Sequence, residues 1–131
     1  MEGRGKPITF LLTAGQRHEA PQFAALMEQG AVQRAGRGGS RRKPTRVSGD
    51  KGYSSKQIRR YCRRKGIRHT IPWRSSEKHR GRCDRAAYKR RNEVERCINR
   101  LKQNRRVATR YEKRAENYLA MVTLAAILLW V

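Results

Sequence analysis

Positive charge runs along the whole of this chain rather than gathering in one tail, and that distribution limits how it can fold. The 131 residues carry 33 Lys and Arg against 10 Asp and Glu, a formal net charge of +23. A compact fold with that imbalance repels itself and attracts polyanions strongly. The length suits one small domain with a limited core. DNA or RNA is the partner that such a charge points to. A membrane surface is the rival, but that reading wants basic residues gathered beside an apolar anchor. The tail YLAMVTLAAILLWV is apolar except for Thr123, yet shorter than the roughly 20 residues of a membrane span. A buried terminal helix is expected there, and no membrane partner. The N-terminal MEGRGKPITF lacks the apolar run of a signal peptide, so the chain reads as cytoplasmic. Cys62, Cys83 and Cys97 form no C-x-x-C pair, and His79 with Cys83 has no second pair to complete a zinc site.

Apolar and turn residues divide the chain into alternating elements. Pro7 to Gly15, PITFLLTAG, alternates and β-branches like a strand and then breaks at glycine. PQFAALMEQG reads as a short helix with Pro21 in its first turn and Gly30 as its stop. Residues 31–46, AVQRAGRGGSRRKPTR, cannot bury a core and read as a flexible basic loop. Arg46 to Asp50 is a weak strand. Ser54 or Ser55 caps the next helix, SKQIRRYCRRKG, which ends at Gly66 and sets Ile58, Tyr61 and Cys62 on one face. Ile67 to Trp73 is a short strand, and Arg74 to Ala86 a polar stretch. A long basic helix is predicted from Ala87 or Tyr88 to about Arg106, and a last, mostly buried helix over Ala115 to Val131. This order predicts an α/β layer architecture whose sheet is too thin to be complete.

Within the long helix, Tyr88, Arg91, Glu95 and Lys102 follow one another at intervals of three, four and seven residues. At about 100° per residue those steps place all four on one stripe. Val94, Cys97, Ile98 and Leu101 repeat at i, i+3, i+4 and i+7, the pattern of a core-facing side. The Tyr88 stripe lies roughly 100° around the axis from that apolar centre, where a cleft wall would be. A tyrosine, an arginine, a carboxylate and a lysine in line suit phosphate and metal chemistry. Asp50 is the second carboxylate of interest. It ends a strand, and in open α/β sheets functional groups gather at the C-terminal ends of strands. An Asp there and a Glu on a neighbouring helix could share a pair of divalent ions that stabilise the attacking and leaving oxygens of a phosphoryl displacement. Mg²⁺ suits all-oxygen ligands with waters retained.

The stretch GDKGYSSKQIRRYCRRKGIRHTIPWR, then YKRRNEVERCINRLKQNRRVATRYEKR and an apolar end, resembles the C-terminal half of bacterial DDE insertion-sequence transposases of insertion-sequence families four and five. Tyr88, Arg91, Glu95 and Lys102 match the signature Tyr, two residues, Arg, three residues, Glu, six residues, Lys. Asp50, Lys51, Gly52 and Tyr53 match the setting of the family's second catalytic aspartate, and RNEVER and VATRYEK are similar to other family segments. The likeness covers roughly residues 5 to 131. It implies a ribonuclease-H-like α/β fold, here partial, with the first strands missing and helices at the C-terminus. The whole chain would be one partial catalytic domain. It also implies metal-dependent DNA cleavage and strand transfer, with Asp50 and Glu95 as catalytic metal ligands for Mg²⁺ or Mn²⁺ in a two-metal site. Tyr88, Arg91 and Lys102 would contact phosphates or position the DNA strand. The implied partners are insertion-sequence ends and target DNA, an upstream-frame transposase half and further copies of the chain, in the bacterial nucleoid. The family's first catalytic aspartate lies on a strand ahead of the matched region. A truncated copy or the downstream frame of a frameshifted transposase is therefore expected, inactive by itself.

Plainer readings of the same residues stand beside these. Glu95 alone is equally a surface carboxylate paired with Arg91 at i, i+4, and Asp50 alone is equally a turn or cap residue. Glu93 competes with Glu95 but lies about 160° from it around a helix. Trp73 reads as a core aromatic, and His18, His69 and His79 carry no pattern. The rival function is a non-catalytic basic nucleic-acid-binding protein or an inactive transposase remnant. A ribosomal-type basic protein does not account for the four-residue signature.

Overall fold

The computed structural model describes residues 1–15, 18–32, 36–78 and 81–131. His79 and part of the basic segment over 31–46 lie outside the described residues. The chain divides into two compact units, Thr13–Arg91 and Met1–Leu12 with Asn92–Val131.

The first unit is built around a strand–helix–strand core. Pro21 opens a short 3₁₀ turn that runs into α1, Phe23–Gln29, and Gly30 ends it. Strand β1, Arg46–Ser48, leads through a second 3₁₀ turn, Lys51–Tyr53, into α2, Lys56–Arg64. Strand β2, Arg68–Thr70, then pairs with β1 in parallel, Val47 opposite His69. Parallel strands need a crossover, and α2 supplies it. The cap of α2 is Ser55, whose side chain accepts from the Gln57 N–H at 3.1 Å. Its end is a Schellman motif: Gly66 sits at φ +61° and donates to Arg63 O, and Ile67 donates to Cys62 O. Only a residue without a Cβ adopts that φ at little cost. The inner face of α2 packs Ile58 and Cys62 against Phe23, Ile67 and Ile71, with Tyr53 and Tyr61 half-buried around them. Phe23 meets Tyr61 edge-on at 5.7 Å between ring centroids. The short helix α3, Arg85–Lys89, follows; Asp84 caps it through the Ala87 N–H and also pairs with Arg46 of β1 at 2.7 Å.

The second unit is helical. Helices α4, Asn92–Lys102, α5, Arg105–Thr109, and α6, Ala115–Leu128, enclose Cys97, Leu101, Val107, Val122, Ala125 and Ala126. The N-terminal segment joins them. Phe10 packs on this cluster, and the Trp130 indole donates to Pro7 O at 2.7 Å.

Several expectations are corrected. Residues 7–15 form no strand, because the only sheet among the described residues is the β1–β2 pair. Without a neighbour to take its backbone groups, an alternating segment has no ladder to join, and Phe10 anchors it to helices instead. The long helix over 87–106 is broken twice, at Arg90–Arg91 and at Gln103–Asn104. Both breaks precede or contain an asparagine, whose side chain competes with helical backbone pairing. Asn104 does so directly, accepting from the Arg106 N–H and capping α5. Asn92 opens α4, with Glu93 and Glu95 in its first turn, where carboxylates complement the helix dipole. Ile98 is 43 % exposed rather than core-facing; it lies about 100° round the helix from Cys97. Helix α6 is only partly buried. Val122, Ala125 and Ala126 face the core, while Leu124, Ile127 and Leu128 face outward. No described helix is long and apolar enough to cross a membrane.

Candidate catalytic carboxylates

Asp50 stands just past β1, where Gly49 still donates to Thr70 O and prolongs the parallel pairing. Its backbone is extended and its side chain is exposed. Oδ1 accepts from the Gly52 N–H at 2.8 Å, which caps the 3₁₀ turn and fixes the carboxylate against the backbone. So the cap reading and the strand-end reading both describe this residue. A Cβ at Gly52 would come within 2.8 Å of Asp50 Oδ1 and push the carboxylate off this cap.

A second layer holds that turn, and the sequence pattern did not disclose it. Arg74 donates from Nε to Lys51 O at 3.0 Å and from Nη2 to Gly52 O at 2.8 Å. Glu77 accepts from the Arg74 N–H and from the Ser54 hydroxyl. These hydrogen bonds, Ser54's first, hold the Glu77 carboxyl below its ordinary range. Arg59 is buried beneath, donating to Ser54 Oγ at 2.8 Å and to Ile71 O at 3.2 Å. Its guanidinium stacks 3.6 Å above the ring centre of Trp73. Trp73 is thus half-buried as a platform for Arg59. The available signal was positional: Trp73 and Arg74 follow β2 just as Asp50 follows β1, at the same end of parallel strands.

Tyr88 is half-buried on α3, and Arg91 follows in the turn before α4 with its guanidinium carbon 5.4 Å from the Tyr88 ring centre. Glu95 is exposed in the first turn of α4, and Lys102 is exposed as its last residue. Seven residues apart, the two share a helix face about 10 Å along the axis. The single four-residue helical stripe is therefore not formed. Tyr88 lies on α3, Arg91 in the turn after it, and Glu95 and Lys102 on α4. Asp50, Tyr88 and Arg91 fall in the first unit, and Glu95 and Lys102 in the second. Glu93, the competing carboxylate, accepts from Arg96 at 2.9 Å. Among the described residues no group of three or more His, Cys, Asp and Glu is placed to hold one metal ion. As donors, Asp50 and Glu95 are water-accessible oxygens of the kind that a hexahydrated divalent cation exchanges for one or two of its waters.

These features define a strongly basic protein of mixed helices and a short parallel sheet, with a carboxylate held at a strand end. The chain matches the family model described as transposase DDE domain over residues 1–130. It belongs to that family, whose general setting is DNA transposition and whose partner is DNA. Comparison with curated proteins and with solved structures returned no match.

Proposed function

We propose that this segment supplies Asp50 and Glu95 as metal-binding carboxylates to a ribonuclease-H-like DDE centre that cuts insertion-sequence ends and joins them to target DNA. The observation carrying the reading is the setting of Asp50: an exposed carboxylate at the C-terminal end of a parallel strand, oriented by the Gly52 N–H. The first step is attack of water on the scissile phosphorus, which breaks its bond to the 3′-oxygen and releases a 3′-hydroxyl and a 5′-phosphate; that hydroxyl then attacks a phosphorus of the target strand, gives up its proton and displaces the target's 3′-oxygen as a new 3′-hydroxyl. Divalent metal, Mg²⁺ or Mn²⁺, supplies charge stabilisation at the attacking and leaving oxygens. The protein's own part is positional. The Gly52 N–H holds Asp50 Oδ1, and Arg74 fixes the turn behind it. Arg91, braced on Tyr88, and Lys102, on the Glu95 face of α4, contact backbone phosphates of the bound strand. On the same reading this is an element of insertion-sequence family five, working in the bacterial nucleoid with an upstream-frame half or with further copies of itself.

The experiment is strand cleavage in Mg²⁺ by a transposase that carries this segment together with all three carboxylates. Asp50→Asn and Glu95→Gln each abolish cleavage and leave DNA binding unchanged. Cleavage by Glu95→Gln at the unsubstituted rate would remove Glu95 from the centre, and Glu93→Gln is the matched control. The alternative is binding without cleavage, and the net charge of +23 favours it. In that case neither substitution changes anything measurable on DNA.

A further inference from the structure

Helix α2 carries a feature that neither the fold nor the carboxylates use. Its inward side is set by Ile58, Arg59 and Cys62, all buried. On the opposite side stand Lys56, Arg60, Arg63 and Arg64, all exposed. At 100° per residue these four fall within an arc of about 100°, roughly opposite the Ile58–Cys62 direction, and they run about 12 Å along the axis. The helix contains no carboxylate, and none of the four has an ion-pair or hydrogen-bond partner among the described residues.

The arrangement opposes the helix's own stability. Lys56 opens α2 with no acidic residue in the first turn, against the sign of the helix dipole. Lys56 with Arg60 and Arg60 with Arg64 are like charges at i, i+4. Arg63 and Arg64, in the last turn, agree with the dipole, but no carboxylate of the helix offsets Lys56 or the Arg60 repulsions; where local rules are broken in this way, function is the usual reason.

A fifth cation extends the face. Lys43 Nζ lies 3.3 Å from where a Cβ on Gly66 would be, at the C-terminal end of α2. Its segment is tied down by Arg41, whose guanidinium donates to Lys43 O and to the Thr45 hydroxyl. The basic segment before β1 thus feeds charge onto the helix. Because α2 returns from the C-terminal end of β1 to the start of the parallel β2, Lys56 lies toward the Asp50 end. Arg63, Arg64 and Lys43 lie at the other. No aromatic ring is among these five residues, so the face offers no platform on which unpaired bases could stack.

We propose that the outer face of α2, with Lys43, docks the sugar–phosphate backbone of duplex DNA, holding a flank of the bound DNA away from the Asp50 end. This rests on the reading of DNA as the partner and adds the surface that grips it. Contacts of this kind position a duplex without reading its sequence.

The test measures binding of a short duplex of arbitrary sequence to the full chain across a salt series. Each phosphate contact contributes about 0.9 to the slope of log K against log salt on duplex DNA. The variant Lys56→Gln, Arg60→Gln, Arg63→Gln, Arg64→Gln is expected to lose about 3 to 4 from that slope and to bind at least tenfold more weakly at about 0.1 M salt. A matched variant of exposed cations elsewhere, Arg4→Gln, Arg106→Gln, Lys113→Gln, Arg114→Gln, is expected to lose less than about 1. If the larger variant misfolds, Arg60→Gln with Arg64→Gln should lose about 2. An unchanged slope in the α2 variants, or an equal fall in the matched variant, overturns the proposal while DNA binding stands. No binding by the unsubstituted chain would overturn both, and single strands bound as tightly as duplex would overturn the duplex assignment.

Discussion

Glu77 is the residue on which the turn beside Asp50 depends most visibly. Its carboxylate takes the Ser54 hydroxyl and the Arg74 N–H, and those bonds lower its pKa from an ordinary 4.5. A carboxyl with a depressed pKa in the folded state stabilises that state above the unfolded value, and the contribution disappears as pH falls through the folded pKa. Asp84 acts in the same direction, held down first by the Ala87 N–H and then by Arg46, from an ordinary 3.8. Thermal unfolding should therefore lose stability as pH falls below about 4.5, and Glu77→Gln should flatten part of that dependence. An identical pH profile in the variant would show that Glu77 is bonded equally well when neutral. Tyr53 shifts in the opposite direction. Burial, and then its hydrogen bond to Glu19, push its phenol up to about 12. Its absorbance titration should lie above the ordinary phenol value of 10.0.

The elements show what was legible and what was not. Helix α2 and its caps were readable because the signals are local: a serine before the apolar period, a glycine after it. The closure at Gly66 carries a definite cost if altered. Gly66→Ala must hold φ near +61° with a Cβ 3.3 Å from Lys43 Nζ, which should destabilise the first unit by about 1 kcal/mol or more. Ser55→Ala should cost about 1 kcal/mol through loss of the Gln57 cap. Denaturant midpoints measure both, and a Gly66→Ala midpoint equal to the parent would refute the left-handed closure. The parallel strands flanking α2 were also legible, and with them the position of Asp50. The segment over 7–15 misled because alternation describes a strand only when a sheet is present to receive it, and that is not local information. The long helix misled for a related reason. Periodicity carries across Arg90 and Arg91 without interruption, whereas the chain breaks there and again where Asn104 caps α5. Arg74, Glu77 and Arg59 were illegible as a group because they meet through backbone groups and the Ser54 hydroxyl, contacts that follow no period in a sequence.

At the scale of the whole molecule, charge and core size compete. A net charge of +23 on 131 residues favours expansion, and salt at 0.1 M screens exposed charges more than about 10 Å apart. The unfolding temperature should therefore rise with moderate salt while DNA affinity falls. A melting temperature that falls with salt would show that favourable surface pairs outweigh the repulsion. The signature residues that a sequence reading groups into one helical line belong structurally to two units, so membership of the family was more legible than the geometry behind it. Each unit also carries its own reporter. Cys62 is wholly enclosed in the first core and Cys97 lies in the second, while Cys83 is half-buried. Burial raises the pKa of both enclosed thiols. A thiol reagent should therefore mark Cys83 first and reach each of the others only when its own unit opens. Peptide-resolved labelling would then clock the opening of the strand-bearing half and of the helical half as separate events in one unmodified chain.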